Sequence, residues 1–285
     1  DPFSTLEKYG PDAVRWYIVT NADPWDNLKF EFEGVAEKQR SFFGTLYNIY
    51  SFFALYANID KFTFAEKEIP ISERSEIDRW VLSELNSLIK TVDESYSAYE
   101  PTKAGRALEY FVDEHLSNWY VRLCRRRFWK GEYTRDKISA YQTLYSCLEV
   151  VAQLSSPIAP FFCEKLFKDL NDSTGKQNSE SVHLSVFPKA DESAIDKALE
   201  ERMEMAQKIS SMILSIRKKE NIRVRQPLSK IQIPVLNIGF KNKIEAVKEI
   251  NKLSQEEKEL DFKLYGKYIP EKEEQTHELP ELPNI

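Results

Sequence analysis

The chain has 285 residues, 42% of them apolar, and its 40 basic side chains fall short of 46 acidic ones for a formal net charge of −6. That supports a folded core in one large or two to three smaller domains, while the missing run of about 20 apolar residues argues against a membrane-spanning helix, and no membrane partner is expected. The negative total argues against a surface uniformly suited to a polyanion, and three scattered cysteines, Cys124, Cys147 and Cys163, argue against a disulfide framework or a four-cysteine zinc site, which points to a reducing, cytoplasmic setting.

The first residues, Asp1-Pro2-Phe3, carry neither a basic leader nor an initiator methionine, so the chain reads as a piece of something longer. A short helix ends at Gly10, and Pro11 opens another through Ala13, Val14, Trp16 and Tyr17. After a loop with Asn21, Asp23 and Pro24, a long amphipathic helix is predicted from Glu33 to Asn58, burying Val35, Phe42, Phe43, Leu46, Ile49, Tyr50 and Phe53. Ser72 to Tyr96 repeats the pattern with Ile77, Trp80, Val81, Leu85, Leu88 and Val92. Pro101 opens the next helix, Thr134 to Leu154 forms a fourth, and Phe161 to Leu170 reads as a short helix after Pro160. The polar stretch from Asn171 to Ser181 marks a boundary. Beyond it come a helix over Ile195 to Lys219, a strand at 231–235, a helix over Phe240 to Leu253, and a tail without apolar periodicity that is expected to be disordered. The predicted architecture is mainly α: an α-helical bundle with a small α+β C-terminal appendage.

The helix that begins at Pro101 carries the most informative cluster. Arg122, Arg125, Arg126 and Trp129 recur at i, i+3, i+4 and i+7, so three guanidinium groups and an indole share one face. Leu108, Val112, Leu116, Trp119 and Leu123 fall on another stripe, which can be buried while the arginines face phosphates. Residues 122–137 hold seven cations against two acids, and residues 217–225 hold five against one, so two basic patches survive on an acidic body. The alternative for Arg122, Arg125 and Arg126 is a solvated face paired with acids of a neighbouring helix. Tyr120 and Phe128 could stack on bases, but aromatics at this spacing are more often core. Arg217 and Lys218 could equally complement the carboxyl end of their helix, and Gln226 before Pro227 could read a base or cap a turn. Arg15 and Trp16 suit packing and ion pairing. His115, His183 and His277 have no companions at metal-ligand spacing, so no metal is expected.

Tyr9-Gly10-Pro11-Asp12-Ala13-Val14-Arg15-Trp16-Tyr17 resembles the segment after the KMSKS loop of class I aminoacyl-tRNA synthetases. Pro24-Trp25-Asp26-Asn27-Leu28-Lys29-Phe30 with Gly34-Val35, Leu116-Ser117-Asn118-Trp119-Tyr120-Val121-Arg122, and Asn221-Ile222-Arg223-Val224-Arg225-Gln226-Pro227-Leu228 are similar to the isoleucyl-tRNA synthetases rather than the valyl or leucyl ones. The likeness covers residues 1–250. Pro11 stands where that family usually has alanine, which suits a first helical turn, and the stretch from Asn251 on does not match.

The resemblance implies a stem-contact segment over 1–32, an anticodon-binding bundle over 33–172, a small α+β region over 182–270 and a disordered tail over 271–285. It implies tRNA(Ile) as partner, a monomer, and an N-terminal catalytic domain that uses ATP and magnesium. The family's HIGH and KMSKS motifs, nucleotide fold and editing domain would all precede Asp1, so no cofactor and no activity are expected of this piece alone. Its RNA-facing residues are expected to be Arg122, Arg125, Arg126, Trp129, Lys130, Arg217, Lys218, Arg223, Arg225 and Gln226. The competing readings are the equivalent part of a valyl- or leucyl-type enzyme, or a helical protein-interaction scaffold with no RNA role.

Overall fold

A computed structural model describes residues 2–129 and 131–226, together with the backbone of 232–235 and 265–268. Two compact units divide it, Asp1–Lys197 and Ala198–Ile285. Residues 182–197, which the sequence assigned to the appendage, are part of the first unit.

The first unit runs α1 (Pro2–Tyr9), α2 (Pro11–Asn21), α3 (Phe32–Lys38), α4 (Gly44–Asp60), α5 (Glu76–Ser97), α6 (Pro101–Tyr110), α7 (Arg122–Trp129), α8 (Arg135–Ser155) and α9 (Pro160–Thr174). Proline opens α2, α6 and α9, where its missing N–H costs nothing. Gly10 separates α1 from α2 at φ 81°, a conformation that a side chain would strain. Thr134 caps α8 by accepting the Lys137 backbone N–H. Two π-helical stretches, Gln39–Phe43 and Phe111–Val121, join α3 to α4 and α6 to α7 without a break.

Helix α8 is the axis of this unit, buried on nearly every side, as a helix must be when its neighbours surround it. Three of its polar side chains there are bonded rather than stranded. Gln142 accepts the Ile69 N–H at 2.9 Å and donates to the Lys67 carbonyl, Thr143 accepts from the Arg74 guanidinium at 2.9 Å, and Lys137 pairs with Asp60 at 2.5 Å. Aromatic rings fill the space against α4 and α7, with Phe62 stacked on Tyr141 at 4.9 Å and Phe128 edge-on to the same ring at 5.0 Å.

The first two helices are fastened to this bundle. Trp16 stacks on Phe42 at 4.0 Å, and its indole N–H donates to Glu109 on α6 at 2.8 Å. Glu109 also receives Lys38 at 2.7 Å. Arg106 donates to the Thr20 and Asn21 carbonyls at the end of α2, and Asp12 accepts the Phe162 N–H at the start of α9. Arg15, expected to form an ion pair, instead donates to the carbonyls of Ile158 and Pro157.

The π-helical stretch before α7 changes the register of the helix that carries the basic cluster. Leu108, Val112 and Leu116 are buried as the spacing predicts. Trp119 and Leu123 are only half-buried, and Tyr120, Cys124 and Phe128 take the inner positions. The cause is the wider i→i+5 turn, which rotates everything beyond it relative to a 3.6-residue repeat.

In the second unit, α10 spans Lys197–Lys219, and a parallel pair joins β1 (Gln232–Val235) to β2 (Tyr265–Tyr268) with Gln232 opposite Tyr265. The helix expected over 240–253, the tail over 271–285, His277 and Lys130 lie outside the described residues. No helix among the described residues is long and apolar enough to cross a membrane.

Candidate nucleic-acid interface

Helix α7 offers its charges unevenly. Arg122 and Arg125 are exposed, Arg126 is half-buried, and the Trp129 indole is 55% exposed. Arg122, Arg125 and Arg126 form no ion pair among the described residues. The pairing that the sequence allowed for these three belongs to Arg127 instead.

Arg127 points inward and grips two carboxylates. Its terminal nitrogens reach Asp78 Oδ1 and Oδ2 at 2.7 Å each, and it donates to both oxygens of Asp136 at 2.9 Å. Asp78, at the first turn of α5, has no exposed surface in its side chain. The Tyr120 hydroxyl at 2.7 Å and the Ser139 hydroxyl at 2.8 Å complete its shell. Burial alone would raise the Asp78 pKa, but the hydrogen bonds and charge of Arg127, with Tyr120 and Ser139, overcome this and hold it below the ordinary 3.8. For Arg127 burial acts downward and the Asp78 carboxylate outweighs it, so the guanidinium is held charged more firmly than usual. Four segments, α5, the π-helical stretch, α7 and α8, thus converge on one buried carboxylate.

Tyr120 and Phe128 are core residues. Burial raises the Tyr120 pKa well above the ordinary value, with the Asp78 charge adding to it, so the hydroxyl stays a donor. Beside the end of α7, Arg127, Gly131, Glu132, Thr134 and Asp136 line a cleft of about 630 Å³. Two acids and an already neutralised arginine make that cleft a poor phosphate site.

The second basic stretch divides differently. Arg217 is only 2% exposed, and its guanidinium donates to the carbonyls of Arg223 at 2.6 Å and Gln226 at 2.9 Å. It is therefore corrected from an RNA-facing residue to the clasp of the turn that follows α10. The physical reason is the helix end itself. Asn221 is left-handed at φ 54°, Ile222 N–H reaches the Arg217 carbonyl at 2.8 Å and Asn221 N–H the Lys218 carbonyl at 3.4 Å. This reversal folds residues 223–226 back over Arg217. Lys218, Arg223, Arg225 and Gln226 are exposed.

Sequence reasoning missed Asp78, Asp136, Ser139 and the inward role of Arg127. One signal was present: Asp78 lies one turn before Val81 and Leu82 on the apolar stripe of α5, and an acid there needs a buried cation. Which arginine supplied it was hidden by the wide turn. No group of His, Cys, Asp and Glu among the described residues could hold a metal ion. His115 is buried in contact with Trp80 and lies 3.8 Å from Glu84, and all three cysteines are buried and free.

The family model described as the anticodon-binding domain of tRNA ligase matches residues 78–233. Among curated proteins, the isoleucine–tRNA ligase of Cytophaga hutchinsonii is 62% identical over 252 residues, 88% of this chain and 23% of that protein. The isoleucine–tRNA ligase of Bacteroides thetaiotaomicron is 60% identical over 88% of this chain and 22% of its own length. That of Dehalococcoides mccartyi is 48% identical over 84% and 23%. The chain therefore spans less than a quarter of these relatives. Among solved structures, LeuRS of Agrobacterium radiobacter K84, in a ternary complex with tRNA and LeuAMS, aligns with 69% of this chain and 21% of its own at a TM-score of 0.51 and 19% identity, a likeness of fold.

Proposed function

Because the chain belongs to the anticodon-binding domain family of tRNA ligases, we propose that it docks the anticodon stem and loop of tRNA(Ile) within an isoleucine–tRNA ligase. The observation that carries this reading is the outer face of α7, where Arg122, Arg125 and Arg126 stand without ion-pair partners among the described residues, beside an exposed indole. Unstacked loop bases are recognised by stacking on aromatics and guanidinium planes and by hydrogen bonds to their edges, and phosphates are met by free cations. Both requirements meet on that face. Identity of 62% and 60% to isoleucine–tRNA ligases favours the isoleucine tRNA over the valine and leucine ones.

In this reading the chain acts as a monomer and contributes binding, while aminoacylation belongs to a catalytic domain of the intact enzyme. ATP and magnesium serve that domain. Lys218, Arg223, Arg225 and Gln226 are assigned to the phosphate backbone, and Lys130 is assigned there too on its charge and position after Trp129.

The test is binding of the 285-residue chain to an isoleucine tRNA transcript and to an anticodon-swapped version over a salt series. Changing Arg122, Arg125 and Arg126 to alanine is expected to reduce the salt slope by about one for each phosphate no longer neutralised and to erase preference for the correct anticodon. Equal binding of both transcripts by the unaltered chain would reduce α7 to a phosphate clamp. No binding at low salt, with capture of a protein partner that is indifferent to the three arginines, would favour a scaffold.

A further inference from the structure

We propose that Asp78 and Asp136 are positioning residues for RNA recognition, which hold α7 through Arg127 so that Arg122, Arg125, Arg126 and Trp129 meet the RNA in one fixed register. The inference rests on the anticodon-binding reading above.

The sequence puts four arginines within six residues, and the structure gives them two opposite jobs. Arg127 has both terminal nitrogens on a fully buried carboxylate and two further bonds to Asp136, so none of its charge is left for a phosphate. Its side chain is only 15% exposed. A bidentate grip of this kind fixes direction as well as distance, because the guanidinium plane must lie in the plane of each carboxylate. The anchor is itself held: Asp78 is tied to Tyr120 on the π-helical stretch and to Ser139 on α8.

Helix α7 needs such an anchor. It is only eight residues long, it follows a π-helical stretch of eleven residues, and it ends at Trp129, the indole that faces solvent. Cys124 and Phe128 pack it against the core, but apolar burial is non-directional, whereas the paired hydrogen bonds of Arg127 fix an orientation. Arg127 lies between Arg126 and Trp129 in sequence, so fixing its azimuth fixes theirs.

The two aspartates make the claim testable by sign. Replacing either by asparagine removes a negative charge from beneath an RNA-binding face. Simple electrostatics then predicts tighter binding to every RNA. Positioning predicts the reverse for recognition: cognate binding weakens while the phosphate contacts, still cationic, persist.

The experiment measures the affinity of the 285-residue chain for the isoleucine tRNA transcript and its anticodon-swapped version, with Asp78→Asn, Asp136→Asn and Arg127→Met compared with the unaltered chain. Asp136 is 57% exposed, so Asp136→Asn keeps the buried half of the grip and the fold even where Asp78→Asn does not. The expected result is a cognate-to-swapped ratio that falls about tenfold in Asp78→Asn, the value of a single base contact, and by a smaller factor in Asp136→Asn, with an unchanged salt slope. Partial unfolding alone would weaken both RNAs equally and leave the ratio intact, which would overturn the proposal. Tighter binding to both transcripts by Asp136→Asn would overturn it too, as would a salt slope reduced by about one in Arg127→Met, since Arg127 would then touch a phosphate. If the unaltered chain shows no anticodon preference, the functional reading fails first and independently.

Discussion

Removing the Arg127 side chain strands a charge. In Arg127→Met, Asp78 keeps the two hydroxyl donors of Tyr120 and Ser139 but has no cation and no solvent, since its side chain is fully buried. Breaking a buried pair from this side costs about 3–5 kcal/mol. The opposite removal, Asp78→Asn, is milder, because Arg127 keeps Asp136 and a 15% exposed side chain; about 1–3 kcal/mol is expected, the scale of a polar group left partly unsatisfied. At about 2–4 °C per kcal/mol for a domain of this size, Arg127→Met should lower Tm by about 6–20 °C and Asp78→Asn by about 2–12 °C. Urea unfolding followed by far-UV circular dichroism reads both, with the slope m checked for constancy. An Arg127→Met cost below about 1 kcal/mol, or a greater cost for Asp78→Asn, would refute the argument that Asp78 depends on Arg127 while Arg127 has a second partner and water.

The same pair sets an acid limb. A folded pKa depressed below 3.8 means that the Asp78 contribution is complete above that value and is lost as pH falls through the folded pKa; in Arg127→Met, where burial, the largest influence on this carboxyl, is opposed only by the Tyr120 and Ser139 hydroxyls, that acid limb should flatten or reverse, so that stability no longer falls with pH in urea midpoints between about pH 3 and 6. Gly105→Ala should destabilise by about 1–3 kcal/mol despite the better helix propensity of alanine, because its Cβ would lie 2.6 Å from Thr20 Cγ2, and Thr20 is itself buried and bonded to the Trp16 carbonyl; an unchanged urea midpoint would contradict this. Burial pushes the Cys124 thiol up to about 12 and raises Cys147 and Cys163 as well, so a thiol reagent at pH 8 should label none of the three in the native chain and all of them in urea; fast native labelling would mean that the core around α8 opens readily.

How far these features could be read in the sequence depends on the regularity of the chain. Proline at three helix starts and apolar stripes of 3.6-residue period locate the helices from α1 to α9 to within a few residues, since those signals act locally. The basic cluster on α7 was equally visible. What the pattern could not carry was azimuth: the π-helical stretch puts Tyr120, Cys124 and Phe128 where a uniform helix would put Trp119 and Leu123, and turns Arg127 inward. No residue type marks such a turn in advance. Arg217 was misplaced for a related reason, because its role depends on Asn221 reversing the chain and bringing two carbonyls back over it.

The fastening of the first two helices bears on where this protein tolerates change. Residues 23–28, in the loop between α2 and α3, contain no buried side chain, so the loop can lengthen or shorten there at little cost. The helices on either side cannot be spared in the same way. A truncation starting at Phe32 would uncover the ring of Phe42, leave Glu109 with Lys38 alone, and remove the carbonyls that occupy Arg106 and the carboxylate that receives the Phe162 N–H. For anyone trimming the chain to a minimal binder, the first two helices behave as the keystone of the helical unit rather than as a detachable leader.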